Sequence, residues 1–104
     1  MKDIKGYEQL QKTINEEKIL LIFASLNGCS VCSVDYPLVK ELADKYSIAL
    51  YNINIESEAE IRGQLRLFTA PVVMLFYNGR LYHRQARIID FEELKNRMEE
   101  LVSI

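Results

Sequence analysis

Tryptophan is absent from these 104 residues, histidine occurs once, and cysteine and proline occur only twice each. Each scarcity excludes something. With two cysteines and a lone His83, one chain cannot fill the four positions of a structural zinc site, and only a dimer sharing four cysteines could; no metal is expected. So few prolines and glycines leave no flexible linker or low-complexity tract, and no internal repeat is visible, so one domain spanning 1–104 is expected. Basic residues are outnumbered 13 to 15, for a net charge of -2. The chain therefore lacks the basic stripe that displaces counterions from nucleic acid. Arg80, Arg84 and Arg87 alternate as a strand surface does, which fits a solvated face better than an anion site.

Long apolar runs are missing too. The longest, Ile19 to Ala24, is far too short to cross a membrane. Met1 to Tyr7 is charged and has no apolar core of a secretion signal. A cytoplasmic protein with no membrane partner is the expectation. In that compartment a close cysteine pair points to redox chemistry or metal rather than to a structural staple.

What is present is a core-forming composition, 49% hydrophobic, enough to bury roughly 65% of the unfolded chain's surface. Tyr7, Leu10, Gln11 and Ile14 fall at helical spacing. Ile19–Ala24 is continuously apolar between charged and turn residues, the pattern of a strand buried on both faces. Val31, Val34, Leu38, Leu42 and Ala43 then keep helical spacing to about Tyr46, with Pro37 inside the helix as a kink. Ile48–Ile55 alternates as a strand, and 58–67 is compatible with a helix despite Gly63. Val72–Tyr77 and 80–87 flank Asn78-Gly79, a strong hairpin signal. The last helix starts at Asp90 with Glu93 in a capping box and carries Phe91, Leu94, Met98, Leu101 and Val102 on one face. The order helix, strand, helix, strand, helix, strand, strand, helix predicts a three-layer α/β/α sandwich. Its mixed central sheet has four strands, with 3–6 as a weakly supported fifth.

The chemistry concentrates at Gly28-Cys29-Ser30-Val31-Cys32, where the buried strand gives way to a helix. Thiol–disulfide exchange needs one thiolate to attack and a second thiol to resolve the mixed disulfide, and C-x-x-C supplies both. A helix start aims unpaired N–H groups at the first sulfur, and in such motifs its pKa can fall from about 8.5 to roughly 3.5–7.5. The competing reading is a pair of inert, buried small residues.

Four features together resemble the thioredoxin family: Cys29-Ser30-Val31-Cys32 after a buried strand, Pro37 five residues beyond Cys32, Ala70-Pro71 before a strand, and the Asn78-Gly79 hairpin followed by an amphipathic helix. The resemblance covers nearly the whole chain. It implies that Cys29 is the nucleophile and Cys32 the resolving thiol. It also implies that Pro71 is cis, and that Gly28, Ser30, Val31, Ala70 and Pro71 line the substrate face. Protein disulfides are the implied partners and a flavin-dependent thioredoxin reductase the implied electron donor; no bound cofactor is required, and a monomer is expected. The departures are specific. Gly28 stands where thioredoxins have tryptophan, and Ser30-Val31 replaces Gly-Pro. Phe23 and Asn52 fall where the family places a buried aspartate and its lysine partner. A thioredoxin-like sensing or binding module with slow catalysis is therefore one alternative. A glutathione-dependent, glutaredoxin-like enzyme is another, weakened because no Gly-Gly pair follows the Pro71 strand.

Overall fold

The apolar run near residue 20 is strand β1 (Ile19–Ser25), and both of its faces are buried. Leu20, Ile22 and Ala24 enter one hydrophobic cluster and Leu21 and Phe23 the other. A strand that feeds two cores must sit inside a sheet covered on both sides. In the computed structural model, which describes residues 2–104, it does. β1 lies between β2 (Ala49–Asn54), to which it is parallel, and β3 (Val72–Tyr77), to which it is antiparallel. β4 (Arg80–Ala86) pairs antiparallel with β3, giving the order β2-β1-β3-β4. Beside β2 the amino-terminal segment adds a single parallel bridge, Asp3 to Asn52, all that the structure forms of the expected fifth strand.

Helices α1 (Tyr7–Glu16) and α3 (Ala59–Leu65) cover the face that holds Leu10, Ile14, Ile53 and Ile61. Helices α2 (Ser30–Tyr46) and α4 (Phe91–Val102) cover the other, where Cys32, Val39, Ala43, Leu94 and Met98 pack on Leu21 and Phe23. The three-layer sandwich is thus the observed fold. No helix among the described residues is long and apolar enough to cross a membrane.

Two local expectations are corrected. On α2 the expected stripe is covered only at its far end: Val31, Val34 and Leu38 face solvent, at 51%, 66% and 44% exposure, whereas Leu42 is half-buried and Ala43 buried. The buried stripe is Cys32, Val39 and Ala43, with Tyr36 half-buried, and it is turned about 100° from Val31, Val34 and Leu38 because neighbours on a helix differ by that angle. At α4, Asp90 caps as expected, its side chain accepting from Glu93 N–H at 3.0 Å. The return bond of a capping box does not form, because Asp90 N–H donates to Gln85 Oε1 at 2.6 Å. The Asn78-Gly79 turn is as expected, with φ of 50° and 81°, the left-handed pair that a two-residue hairpin favours.

α2 and α4 are tied near their ends by Tyr46 Oη donating to Glu99 Oε2 at 2.6 Å. That bond to Glu99 pushes the Tyr46 phenol up to about 12, because ionisation would remove the donated proton. A raised folded-state pKa stabilises below the unfolded value of about 10 and loses its contribution as pH climbs through the folded value. The stability difference between wild type and Tyr46→Phe should therefore be constant below about pH 9 and shrink between about pH 10 and 12, read by urea denaturation at each pH. On the same helix pair, Leu94→Ala should cost about 2–5 kcal/mol. Val34→Ala should stay within about 0.5 kcal/mol, the reverse of what a core-facing Val34 requires.

Candidate active site

After Ser25 the chain must turn from strand to helix within four residues. Gly28 makes the turn at φ +74°, with no atom within 4 Å of where a Cβ would sit, so only backbone conformation selects glycine there. Cys29 N–H donates back to Leu26 O at 3.3 Å, closing the loop. The loop is also braced toward the end of β2. Asn27 N–H donates to Glu56 Oε1 at 3.0 Å, and Asn54 Nδ2 donates to Asn27 Oδ1 at 2.9 Å. No periodicity singles out this polar brace, and sequence reading missed it; three short polar residues at loop ends are its only signal.

Cys29 is the N-cap of α2. Its Sγ accepts the Cys32 N–H at 3.1 Å, so one of the orphan donors of the first turn already points at that sulfur. The first turn carries no acidic side chain, leaving the positive end of the helix unopposed. Cys29 and Cys32 are disulfide-bonded with Cα atoms 5.3 Å apart. Cys29 is half-buried and Cys32 only 5% exposed. Ser30, Val31 and Gly28 are exposed around them. One turn further, partial burial pushes the Asp35 carboxyl above its ordinary value.

The other predicted residues approach from β3. Ala24 pairs with Val72, so Pro71 lies just across from the end of β1. The Ala70–Pro71 bond is cis. Ala70 is half-buried against the same cluster as Cys29 and Cys32 and lies outside the β3 ladder. Pro71 itself is buried, and its carbonyl accepts Arg87 N–H at 2.7 Å. Arg87 has φ +72° and is exposed. Of the three arginines read as a solvated strand face, Arg84 is otherwise employed: its guanidinium donates to Leu65 O at 2.6 Å and Arg66 O at 2.8 Å, clamping the segment before Pro71.

On the β2 side a cleft of about 350 Å³ opens beside the sulfurs, lined by both cysteines and by Phe23, Ser33, Tyr36 and Asn52 among others. Phe23 and Asn52 are register partners on β1 and β2, hence neighbours on one sheet face. The Phe23 and Tyr36 rings meet edge-on, centroids 5.4 Å apart. The cleft holds no carboxylate, amine or imidazole, and among the described residues no cluster of three or more His, Cys, Asp or Glu could hold a metal. An exposed-edge sulfur at a helix start with a buried partner one turn away is an arrangement able to form, break and re-form a disulfide without other groups.

No protein-family model matches the chain. The thioredoxin-like protein YdfQ of Bacillus subtilis is 33% identical to it over 103 residues, spanning 95% of this chain and 92% of that protein. A thioredoxin of Mycoplasmoides gallisepticum is 24% identical over 96 residues, 91% of this chain and 96% of the other. Among solved structures, a thioredoxin variant from Halobacterium salinarum superposes with a TM-score of 0.89 at 18% identity, covering 99% of this chain and 91% of that one. Oxidised mitochondrial thioredoxin 3 of Saccharomyces cerevisiae gives 0.86 at 16% identity, over 97% and 95%.

Gly28→Ala should destabilise the protein by about 1–2 kcal/mol, measured by chemical denaturation, and Gly28→Asn should recover part of that loss because asparagine tolerates the left-handed region.

Proposed function

This chain belongs to the thioredoxin-like family of thiol–disulfide oxidoreductases, and we propose that it reduces disulfides of protein partners with Cys29 as nucleophile and Cys32 as resolving thiol. The observation that carries the assignment is the inequality of the two sulfurs, one half-exposed at the cap of α2 and one buried a turn behind it. Cys29 thiolate attacks one sulfur of the partner's disulfide; that bond breaks and the first partner thiolate leaves. Cys32 gives up its proton and attacks Cys29 Sγ, releasing the second thiolate. The partner gains two electrons and two protons, and the Cys29–Cys32 bond stores the oxidising equivalent.

Gly28, Ser30, Val31, Ala70 and Pro71 form the contact surface in this reading. Ala70 offers backbone outside the ladder to an extended partner segment, as in strand addition. A flavin-dependent thioredoxin reductase resets the dithiol, and the protein works as a cytoplasmic monomer in electron transfer. The second reading, a redox sensor that turns over slowly, is favoured by the absence of any carboxylate, amine or imidazole in the cleft behind Cys32.

Cys32→Ser should trap a mixed disulfide through Cys29, seen as a mass increase equal to a bound model thiol, while Cys29→Ser should trap none. Equilibration with glutathione or dithiothreitol, followed by mass after alkylation because there is no tryptophan to report, decides between the two readings. A potential near about -270 mV supports a reductant, and one near about -120 to -180 mV supports the sensor.

A further inference from the structure

We propose that Tyr36 and Asn52 are positioning residues for the resolving step, holding the water through which Cys32 loses its proton when it attacks the mixed disulfide. The inference rests on the dithiol reading above and goes beyond it by giving the buried thiol a proton route.

Cys32 is 5% exposed, so its proton cannot pass straight into bulk solvent. Cys32 lines the cleft, whose volume of about 350 Å³ is room for several water molecules. A water becomes ordered only where it finds two to four polar partners. Asn52 is the buried polar side chain of that wall, 5% exposed in the middle of a strand, where a polar residue is costly unless its groups are used. Its backbone is fixed on both sides by the amino-terminal segment, N–H to Lys2 O at 2.8 Å and O from Ile4 N–H at 2.9 Å. Its Nδ2 donates to Lys2 O at 3.4 Å and lies 3.5 Å from Tyr36 Oη. Tyr36 is four residues beyond Cys32 on α2, and helical side chains lean back over the preceding turn, which carries its ring toward the resolving cysteine. Two uncharged groups able to donate and accept thus face the same cleft as the thiol, one on the helix and one on the sheet.

The ionisable groups near this pair lie elsewhere. Lys40 and Asp44, which bond each other at 2.8 Å, and Lys2 meet Tyr36 in a separate cleft; Asp35 precedes it on α2, and Asp3 bridges the Asn52 backbone. None of them lines the cleft that reaches Cys32. In the step itself, the Cys32 S–H bond breaks toward a cleft water, and the sulfur's electron pair forms the bond to Cys29 Sγ. The bond from Cys29 to the partner breaks, and its pair leaves on the partner thiolate, which is protonated from solvent. No outside oxidant or reductant enters.

Dithionitrobenzoate separates the two steps in stopped flow. Attack by Cys29 releases one coloured thiolate, and resolution by Cys32 releases a second. Tyr36→Phe and Asn52→Leu should leave the first phase within about twofold of wild type and slow the second by about tenfold, less than the roughly 10²–10⁴-fold of a side chain that takes the proton directly. Asn52→Thr, which keeps an uncharged donor and acceptor at the site, should hold the second phase near the wild-type rate. The slowed variants should also show an altered solvent deuterium isotope effect on the second phase alone. Second phases of Tyr36→Phe and Asn52→Leu that match wild type would overturn the proposal. So would an Asn52→Thr variant as slow as Asn52→Leu, since loss of packing would then account for both. A wild-type protein with no second phase would instead defeat the dithiol reading itself.

Discussion

The position of both sulfurs depends on β1 being buried on both faces. Its side chains are apolar on either side, so a slip of one residue would exchange Leu20 and Ile22 for Leu21 and Phe23 with little change in buried area. Hydrophobic pattern alone therefore does not fix the register. The ends do. Asn78 N–H bonds Lys18 O at 2.8 Å just before the strand, and the Asn27–Asn54–Glu56 network holds the chain just after it. Polar bonds at two loop ends thus decide where an apolar strand delivers its cysteine.

From that point the chemistry divides between the two sides of one helical turn. Cys29 meets backbone N–H and the start of a helix, a setting that favours charge on sulfur. Cys32 meets Val39, Phe23 and the sheet, a setting that disfavours it. In the dithiol mechanism proposed above, the first of these sulfurs attacks and the second waits. The division needs no metal and no charged side chain within the cleft.

Much of this was legible in the sequence, and the exceptions share a cause. The order of elements, the Asn78-Gly79 turn, the Asp90 cap and the placement of Cys29 at a strand-to-helix junction each rest on local chemistry that neighbouring residues specify. The face of α2 does not. Val31, Val34 and Leu38 make as good a periodic stripe as Cys32, Val39 and Ala43, and only the sheet decides which is covered. Tyr36 reads as ordinary packing until Asn52 is brought beside it from β2, sixteen residues away. Arg84 reads as solvated until the carbonyls of Leu65 and Arg66 meet it across the fold. Long-range polar contacts of this kind leave no period behind.

The segment before β3 is held at both ends, by the Arg84 guanidinium at Leu65 and Arg66 and by the Arg87 amide at Pro71. Between these clamps Phe68 stands 75% exposed. A loop that carries a large apolar ring would ordinarily lose conformational freedom when a partner docks, and that loss would subtract from affinity. Here folding has already imposed the restriction. The same clamps join the fate of the loop to β4, an edge strand, so fraying of that edge would return the ring to an ensemble of orientations while the disulfide itself stayed in place.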